Sequence, residues 1–174
     1  GNLCDERLAE LGALPQVKMM ELKLSQGAKP GKGGILPGIK VNEEIARIRG
    51  IPVGEDSISP NRHPEINSLH DLLDMIERIR RASGLPTGFK AVIGAYGWLD
   101  EFCRLIHERG IGSAPDFITV DSGDGGTGAA PLPLMDEMGL PIRESLPMVV
   151  DKLNQYGLRH RIRVIASGKR ITPS

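Results

Sequence analysis

Residues 117–131 read FITVDSGDGGTGAAP, a short apolar run followed directly by a loop rich in glycine. The run Phe117 to Asp121 is apolar and rich in β-branched residues, which is typical of a strand covered on both faces. Glycines in residues 121–131 would let backbone N–H groups approach a ring or a phosphate. The GDGGTG stretch is similar to the dinucleotide-binding pattern GxGxxG without matching it, so a plain turn is the alternative.

Three further segments have strand-like patterns. Val17 to Leu24 alternates, with Leu22 and Leu24 on one face and Glu21 and Lys23 on the other. Phe89 to Ile93 and Ile162 to Ala166 are short and apolar, like Phe117 to Asp121. The sequence therefore predicts four strands.

Helical patterns separate these strands. An apolar stripe after Ser68 predicts a helix that is capped by Ser68 and Asp71 and stops at Gly84. Similar stripes end before Gly110 and Gly157, and a shorter helix is predicted from Glu43 to Arg49, after Asn42.

Alternating strands and helices call for parallel pairing, in either a doubly wound sheet or part of a (β/α)₈ barrel. Local pattern does not separate the two. Thr172 and Pro173 are typical of the start of another helix, and a full barrel needs about 250 residues. We therefore expect the 174 residues to be an internal fragment of one domain.

Composition argues against several classes of protein. Basic and acidic residues each total 22, so no net charge would attract nucleic acid or an anionic membrane. No apolar run approaches the length of a membrane span. Cys4 and Cys103 lie far apart, which disfavours a disulfide framework and a zinc site and fits a reducing compartment. We expect a cytoplasmic protein that binds neither nucleic acid nor membrane.

Two more glycine-rich or small-residue loops follow predicted strands. Residues 25–38 read SQGAKPGKGGILPG, where Lys29 and Lys32 add positive charge near backbone donors, although a surface lid is an equal alternative. Residues 166–169, ASGK, lie where barrels often bind a phosphate. All these loops would meet at the carboxyl ends of the strands, where binding sites form in both candidate folds.

Isolated charged residues have simpler interpretations as well. Lys23 and Lys90 could extend to solvent from strand ends, and Arg49 could pair with Glu43 or Glu44 on its helix, while Arg47 is interpreted as structural. The four histidines lack metal-ligand spacing, so no metal site is predicted.

Several motifs together resemble one family. LSQGAKPGKGG at 24–34, LPG at 36–38, ISP at 58–60, FKAVIG at 89–94, GDGGTGAAP at 123–131 and ASGK at 166–169 are similar, in order and spacing, to glutamate synthase domains and related FMN-binding proteins. The resemblance runs from about Val17 to the end of the chain. It implies a (β/α)₈ barrel with FMN at the carboxyl ends of its strands.

The resemblance also implies a reaction and a set of site residues. In this family reduced FMN delivers a hydride to 2-iminoglutarate, formed from 2-oxoglutarate and ammonia, to give L-glutamate. The implied catalytic residues are Lys29, Arg49 and Lys90, the first two on substrate carboxylates and Lys90 able to stabilise negative charge on the reduced flavin. The implied flavin pocket comprises Lys23, Gln26, Ser59, Lys90, Asp124, Gly125, Gly126, Gly168 and Lys169.

The chain departs from the family pattern at one position and leaves other parts out. Ile35 stands where glutamate synthases commonly have Gln, which removes an amide that could contact the oxoacid. The family's cysteine motif for an iron-sulfur cluster and its amidotransferase domain are expected outside this chain. The implied partners are an electron-donor protein or an amidotransferase subunit. The alternatives are a non-redox barrel that binds a phosphorylated ligand and a catalytically silent interaction fragment.

Overall fold

The computed structural model describes residues 3–24, 35–36, 38–49, 52–55, 57–58, 65–94, 97–123 and 139–168, with side chains at all but 35–36, 48–49 and 57–58. In chain order the described elements are α1 (Asp5–Gly12), β1 (Met20–Lys23), β2 (Ile35–Leu36), α2 (Glu43–Arg49), β3 (Ser57–Ile58), α3 (Leu69–Ser83), β4 (Thr87–Val92), α4 (Gly97–Arg109), β5 (Phe117–Asp121), α5 (Ile142–Gln155) and β6 (Arg163–Ser167). The prediction of an α/β fold is confirmed.

The main sheet has the strand order β1-β4-β5-β6, and every pair in it is parallel. Each strand therefore lies beside the next long strand of the chain, and the described order never reverses. A doubly wound sheet contains a reversal, where its ligands bind. The described sheet, which shows no such reversal, is consistent with part of a barrel.

One face of this sheet forms the core. Leu22, Phe89, Ile118 and Val164 occupy one row across the four strands. They belong to a single apolar cluster with α3, α4 and α5, whose most deeply buried members include Leu73, Ile76, Leu99, Phe102, Val149 and Leu153. In the described part of the chain, these three helices cover the same face of the sheet.

The opposite face of the sheet is more polar, because alternate residues of a strand point to opposite sides. Glu21, Lys23, Lys90, Thr119 and Asp121 all stand there. The expectation that the strands are covered on both faces holds for β5, which is buried throughout. It is wrong for β6, whose residues are exposed or half-buried, since β6 pairs only with β5 among the described residues.

The predicted helix signals are confirmed at both ends of α3. The Ser68 hydroxyl accepts a hydrogen bond from the Asp71 backbone N–H at 3.1 Å, and Gly84 ends the helix with φ of 69°. Asn42 caps α2 through a 2.9 Å bond from the Ile45 N–H. Within the described part of the chain, every helix is too short or too polar to cross a bilayer.

Several boundaries differ from the sequence prediction. β1 begins at Met20, not at Val17, because the Val17 N–H donates to the Leu14 carbonyl in a turn. β4 starts two residues earlier than predicted and β6 is shifted by one. The prediction missed α1 and the antiparallel pair of β2 with β3. Thr172 and Pro173, read as the start of a further helix, lie outside the described residues.

Candidate functional site

A charged cluster lies at the carboxyl ends of β4, β5 and β6. Lys90 Nζ donates a hydrogen bond to Ser167 Oγ at 3.1 Å and lies 3.3 Å from Asp121 Oδ2. The side chains of Lys90 and Asp121 are only 21% and 11% exposed. We refer to Lys90, Asp121 and Ser167 as the lysine cluster.

The strand register explains how these residues meet. Lys90 is paired with Thr119, whereas Asp121 is paired with Ser167, one row closer to the carboxyl edge on the same face. The Lys90 side chain therefore leans across β5 towards the carboxyl edge of the sheet. The sequence also allows Lys90 simply to extend to solvent, but its contacts with Asp121 on β5 and Ser167 on β6 contradict that alternative.

A second polar contact lies beneath the lysine cluster. The Thr119 hydroxyl donates a hydrogen bond to the Glu21 carboxylate, which reaches it across β4. Lys23 is exposed and occupies the same row as Lys90. The lysine cluster is thus the upper part of a polar surface that continues along β1, β4 and β5.

The stem of the GDGGTG loop is fixed beside this cluster. The Gly123 N–H donates to the Leu140 carbonyl at 3.0 Å, and the Leu140 N–H donates to the Ile93 carbonyl at 2.9 Å. A Cβ on Gly123 would overlap the carbonyl oxygen of Gly139, so the two ends of the loop touch backbone to backbone. Gly123 and Leu140 are therefore held together beside Ile93, just after the end of β4.

The end of β6 is equally constrained. Gly168 has φ of 114°, and a Cβ there would lie 2.7 Å from the Cβ of Ser122. The Ser122 N–H donates to the Ser167 carbonyl at 3.1 Å. The Ser122 hydroxyl also accepts the N–H of Ile142 at 3.1 Å, at the start of α5. Only glycine fits at Gly168 without strain.

The small antiparallel sheet joins two motifs that are distant in sequence. Ile35 pairs with Ile58, and Leu36 pairs with Ser57. The end of the first glycine-rich loop is thereby tied to the segment that precedes Ser59. Arg49 is the last residue of α2, and its side chain lies outside the described residues.

The described residues cover part of the predicted site. Lys90 and Gly168 lie at the carboxyl ends of the strands, in contact with Ser167 and Ser122 respectively, and Lys23 stands on the same sheet face as Lys90. The predicted site residues Gln26, Lys29, Ser59, Asp124, Gly125, Gly126 and Lys169 lie outside the described residues. Among the residues that are described, no group of histidine, cysteine and carboxylate side chains is arranged to hold a metal ion.

Sequence reasoning missed Asp121 and Ser167 as partners of Lys90. Both lie within or beside the loop motifs, but the sequence patterns predict no role for either. One signal in the sequence could have identified them. Each is a polar residue at the end of a predicted strand, and the alternation of side chains along parallel strands places each on the same face of the sheet as Lys90.

Comparison with known proteins supplies the family. The sequence pattern of the conserved region in glutamate synthase matches residues 10–174. This chain belongs to the glutamate synthase family. The glutamate synthase large subunit-like protein YerD of Bacillus subtilis is 43% identical over 173 residues, which is 99% of this chain. The archaeal glutamate synthase (NADPH) of Methanocaldococcus jannaschii is 39% identical over 149 residues, or 86% of this chain.

This glutamate synthase segment is short compared with its relatives. It spans 32% of the Bacillus subtilis protein and 28% of the Methanocaldococcus jannaschii enzyme. It also matches the glutamate synthase (NADPH) large chain of Azospirillum brasilense, with 36% identity over 163 residues and 10% of that chain. The family thus includes proteins in which this conserved region makes up very different shares of the whole.

Proposed function

We propose that this chain is part of an FMN-binding (β/α)₈ barrel in a glutamate synthase-type oxidoreductase. The protein would reduce 2-iminoglutarate, formed from 2-oxoglutarate and ammonia, to L-glutamate. The observation that carries the proposal is the lysine cluster. Its contacts hold the Lys90 ammonium group at the carboxyl edge of a parallel sheet, in a chain that belongs to the glutamate synthase family.

Three features of the sheet support a barrel. Its strands follow one another in chain order, α3, α4 and α5 cover one face, and the other face is polar. A barrel places helices outside and a ring of strands inside, and its inward side chains fill layers from alternate strands. Lys90 and Thr119 form one such row, and Asp121 and Ser167 form the next.

The described residues fit an FMN group at the carboxyl edge. The Lys90 ammonium supplies a positive charge suited to a flavin that gains negative charge on reduction, and Gly168 allows close backbone approach at the end of β6. By family resemblance Asp124, Gly125, Gly126 and Lys169 would complete the cradle. Lys23, Gln26 and Ser59 would line the same pocket.

The proposed reaction balances in two stages. Ammonia condenses with the keto group of 2-oxoglutarate and water leaves; the imino carbon then accepts a hydride and its nitrogen a proton. When bound, FMN supplies that hydride, and its electrons are restored by NADPH or by an electron-donor protein. Lys29 and Arg49 would hold the substrate carboxylates, the guanidinium group by paired hydrogen bonds.

The full-length protein provides the test. As purified, it should show flavin absorbance and should form glutamate from 2-oxoglutarate and ammonium with a chemical reductant. Lys90→Met should lower kcat/KM by roughly ten- to hundredfold, because it removes a charge that acts beside the reacting ring. A colourless protein that forms no glutamate would contradict the proposal and would favour a non-redox ligand site.

Lys152→Met is a matched control for this variant. Lys152 Nζ lies 2.9 Å from Asp100 Oδ1, and the two side chains are 22% and 23% exposed, so the pair resembles that of Lys90 with Asp121 in exposure. It joins α4 to α5, within the helical layer. Its loss should leave kcat/KM within about twofold of the wild type.

A further inference from the structure

We propose that Asp121 and Ser167 are positioning residues that fix the Lys90 ammonium group, and that Asp121 sets the net charge presented to the flavin. This inference rests on the proposed function, since it concerns the same carboxyl edge of the sheet. The family motifs assign no role to either residue. Both act through Lys90 and need not touch the substrate.

The first step of the argument is geometric. An ammonium group has three N–H donors. Among the described residues, Lys90 directs Nζ to Ser167 Oγ at 3.1 Å and to Asp121 Oδ2 at 3.3 Å. These two partners come from two other strands, so they fix the direction of a side chain that is otherwise flexible. Asp121 and Ser167 are the last residues of β5 and β6, so the ammonium group is held at the carboxyl edge of the sheet.

The second step is that the partners are themselves held in place. Asp121 and Ser167 are paired in register between β5 and β6. The Ser167 carbonyl accepts the Ser122 N–H at 3.1 Å, which fixes the strand end directly after Asp121. A catalytic group has to be kept within about 0.5 Å of its productive position by such surrounding contacts. The lysine cluster has this supporting arrangement.

The third step concerns charge. Lys90 and Asp121 are both largely buried, so their interaction is screened less than that of a surface pair. The paired carboxylate offsets most of the ammonium charge seen at a distance. Removing it would make the edge more positive and would favour the reduced flavin, which carries more negative charge than the oxidised form. Asp121 would therefore lower the flavin's reduction potential relative to an unpaired lysine.

The test measures the midpoint potential of bound FMN together with steady-state kinetics in the full-length protein. Asp121→Asn should raise the potential, and Lys90→Met should lower it. Asp121→Glu keeps the charge but moves it, so the potential should stay close to the wild-type value while kcat falls about tenfold, with KM within about twofold. Asp100→Asn, which removes the carboxylate partner of Lys152, should change neither quantity.

Ser167 gives an independent variant if Asp121→Asn does not fold or loses its flavin. Ser167→Ala should lower kcat several-fold, and Ser167→Thr, which keeps the hydroxyl, should restore it. A wild-type protein that lacks flavin and synthase activity overturns the proposed function. If the wild type is active, two results would overturn the positioning role alone. One is an unchanged flavin potential in Asp121→Asn, and the other is an unchanged kcat in both Asp121→Glu and Ser167→Ala.

Discussion

At the residue scale, the close approach of loop stems depends on the absence of side chains. Gly123 and Gly139 touch backbone to backbone, and a Cβ on Gly139 would overlap a methyl group of Val92. Gly168 combines the same crowding with a positive φ. Glycine in these loops therefore serves the packing of the strand ends as well as any contact with a ligand.

Gly168→Ala is expected to destabilise the protein by about 1–3 kcal/mol, because it forces a Cβ into a left-handed conformation against Ser122. Thermal unfolding of the full-length protein would measure the effect. Gly97→Ala is the matched control, since a Cβ there meets nothing within 4 Å. Equal melting temperatures for the two variants would show that the end of β6 tolerates a side chain.

A variant at Arg49 distinguishes a substrate-binding role for this residue from a simple ion pair on the protein surface. Arg49→Lys keeps the charge but loses the planar fork, so kcat/KM should fall by about ten- to hundredfold if the guanidinium holds a carboxylate. Arg47→Lys, at an exposed position of the same helix, should leave the kinetics unchanged. Wild-type kinetics in Arg49→Lys with full flavin occupancy would remove Arg49 from the proposed site.

At the element scale, Asp116 joins the amino-terminal ends of the strands. Its carboxylate accepts the Thr87 N–H at 2.8 Å and lies 3.0 Å from both Arg80 Nε and Arg161 Nη1. Its backbone carbonyl accepts the Arg163 N–H at 3.0 Å. A single residue thus links α3, β4 and β6 at the edge of the sheet opposite the proposed site.

This linkage predicts a dependence of stability on pH. Burial by itself raises the pKa of Asp116, but the Thr87 N–H and the guanidinium groups of Arg80 and Arg161 outweigh it and lower the pKa below its ordinary value. The ionised carboxylate therefore stabilises the fold above its unfolded-state pKa of about 3.9. That contribution is lost as the pH falls through the lower, folded-state pKa.

Asp116→Asn should accordingly cost about 2–3 kcal/mol near neutral pH, and the difference from wild type should shrink below about pH 4. Thermal unfolding of the full-length protein across this range would measure it. Asp5→Asn breaks an exposed pair with Arg78 and serves as the control, with an expected cost much smaller than that of Asp116→Asn. A difference for Asp116→Asn that stays constant with pH would contradict the electrostatic account.

At the scale of the whole molecule, the described part of the main sheet has two edge strands. β1 and β6 each have one neighbour among the described residues, and the polar face of the sheet carries the lysine cluster. Unpaired strand edges are sites of aggregation, which native proteins usually cover. In the proposed barrel, the remaining strands would pair with β1 and β6 and enclose the polar face.

We therefore expect the isolated 174-residue chain to form little or no glutamate, because the remaining barrel wall is needed to complete the cofactor site. Glutamate formation by the isolated chain and by the full-length protein, each supplied with FMN and a chemical reductant, should be compared at equal concentration. Comparable rates would refute the expectation and would show that this segment carries a complete site.

The sequence by itself determined the elements whose signals are local. The strand Phe117–Asp121, the caps at Ser68 and Gly84 and the bounds of the short helix after Asn42 were all predicted, because each depends on neighbouring residues alone. Motif resemblance predicted the family, which the comparison confirmed. The roles of Lys29, Gln26 and Ser59 still depend on that resemblance.

Only the tertiary structure decided the strand order and the contacts of Lys90. Strand order is set by pairing between segments that are far apart in sequence, so local periodicity left the doubly wound and barrel alternatives equal. Asp121 and Ser167 reach Lys90 because the parallel register places them one row nearer the carboxyl edge. The spacing of these residues along the chain does not predict this one-row offset from Lys90, because the offset arises from hydrogen bonding between strands that are separated by helices.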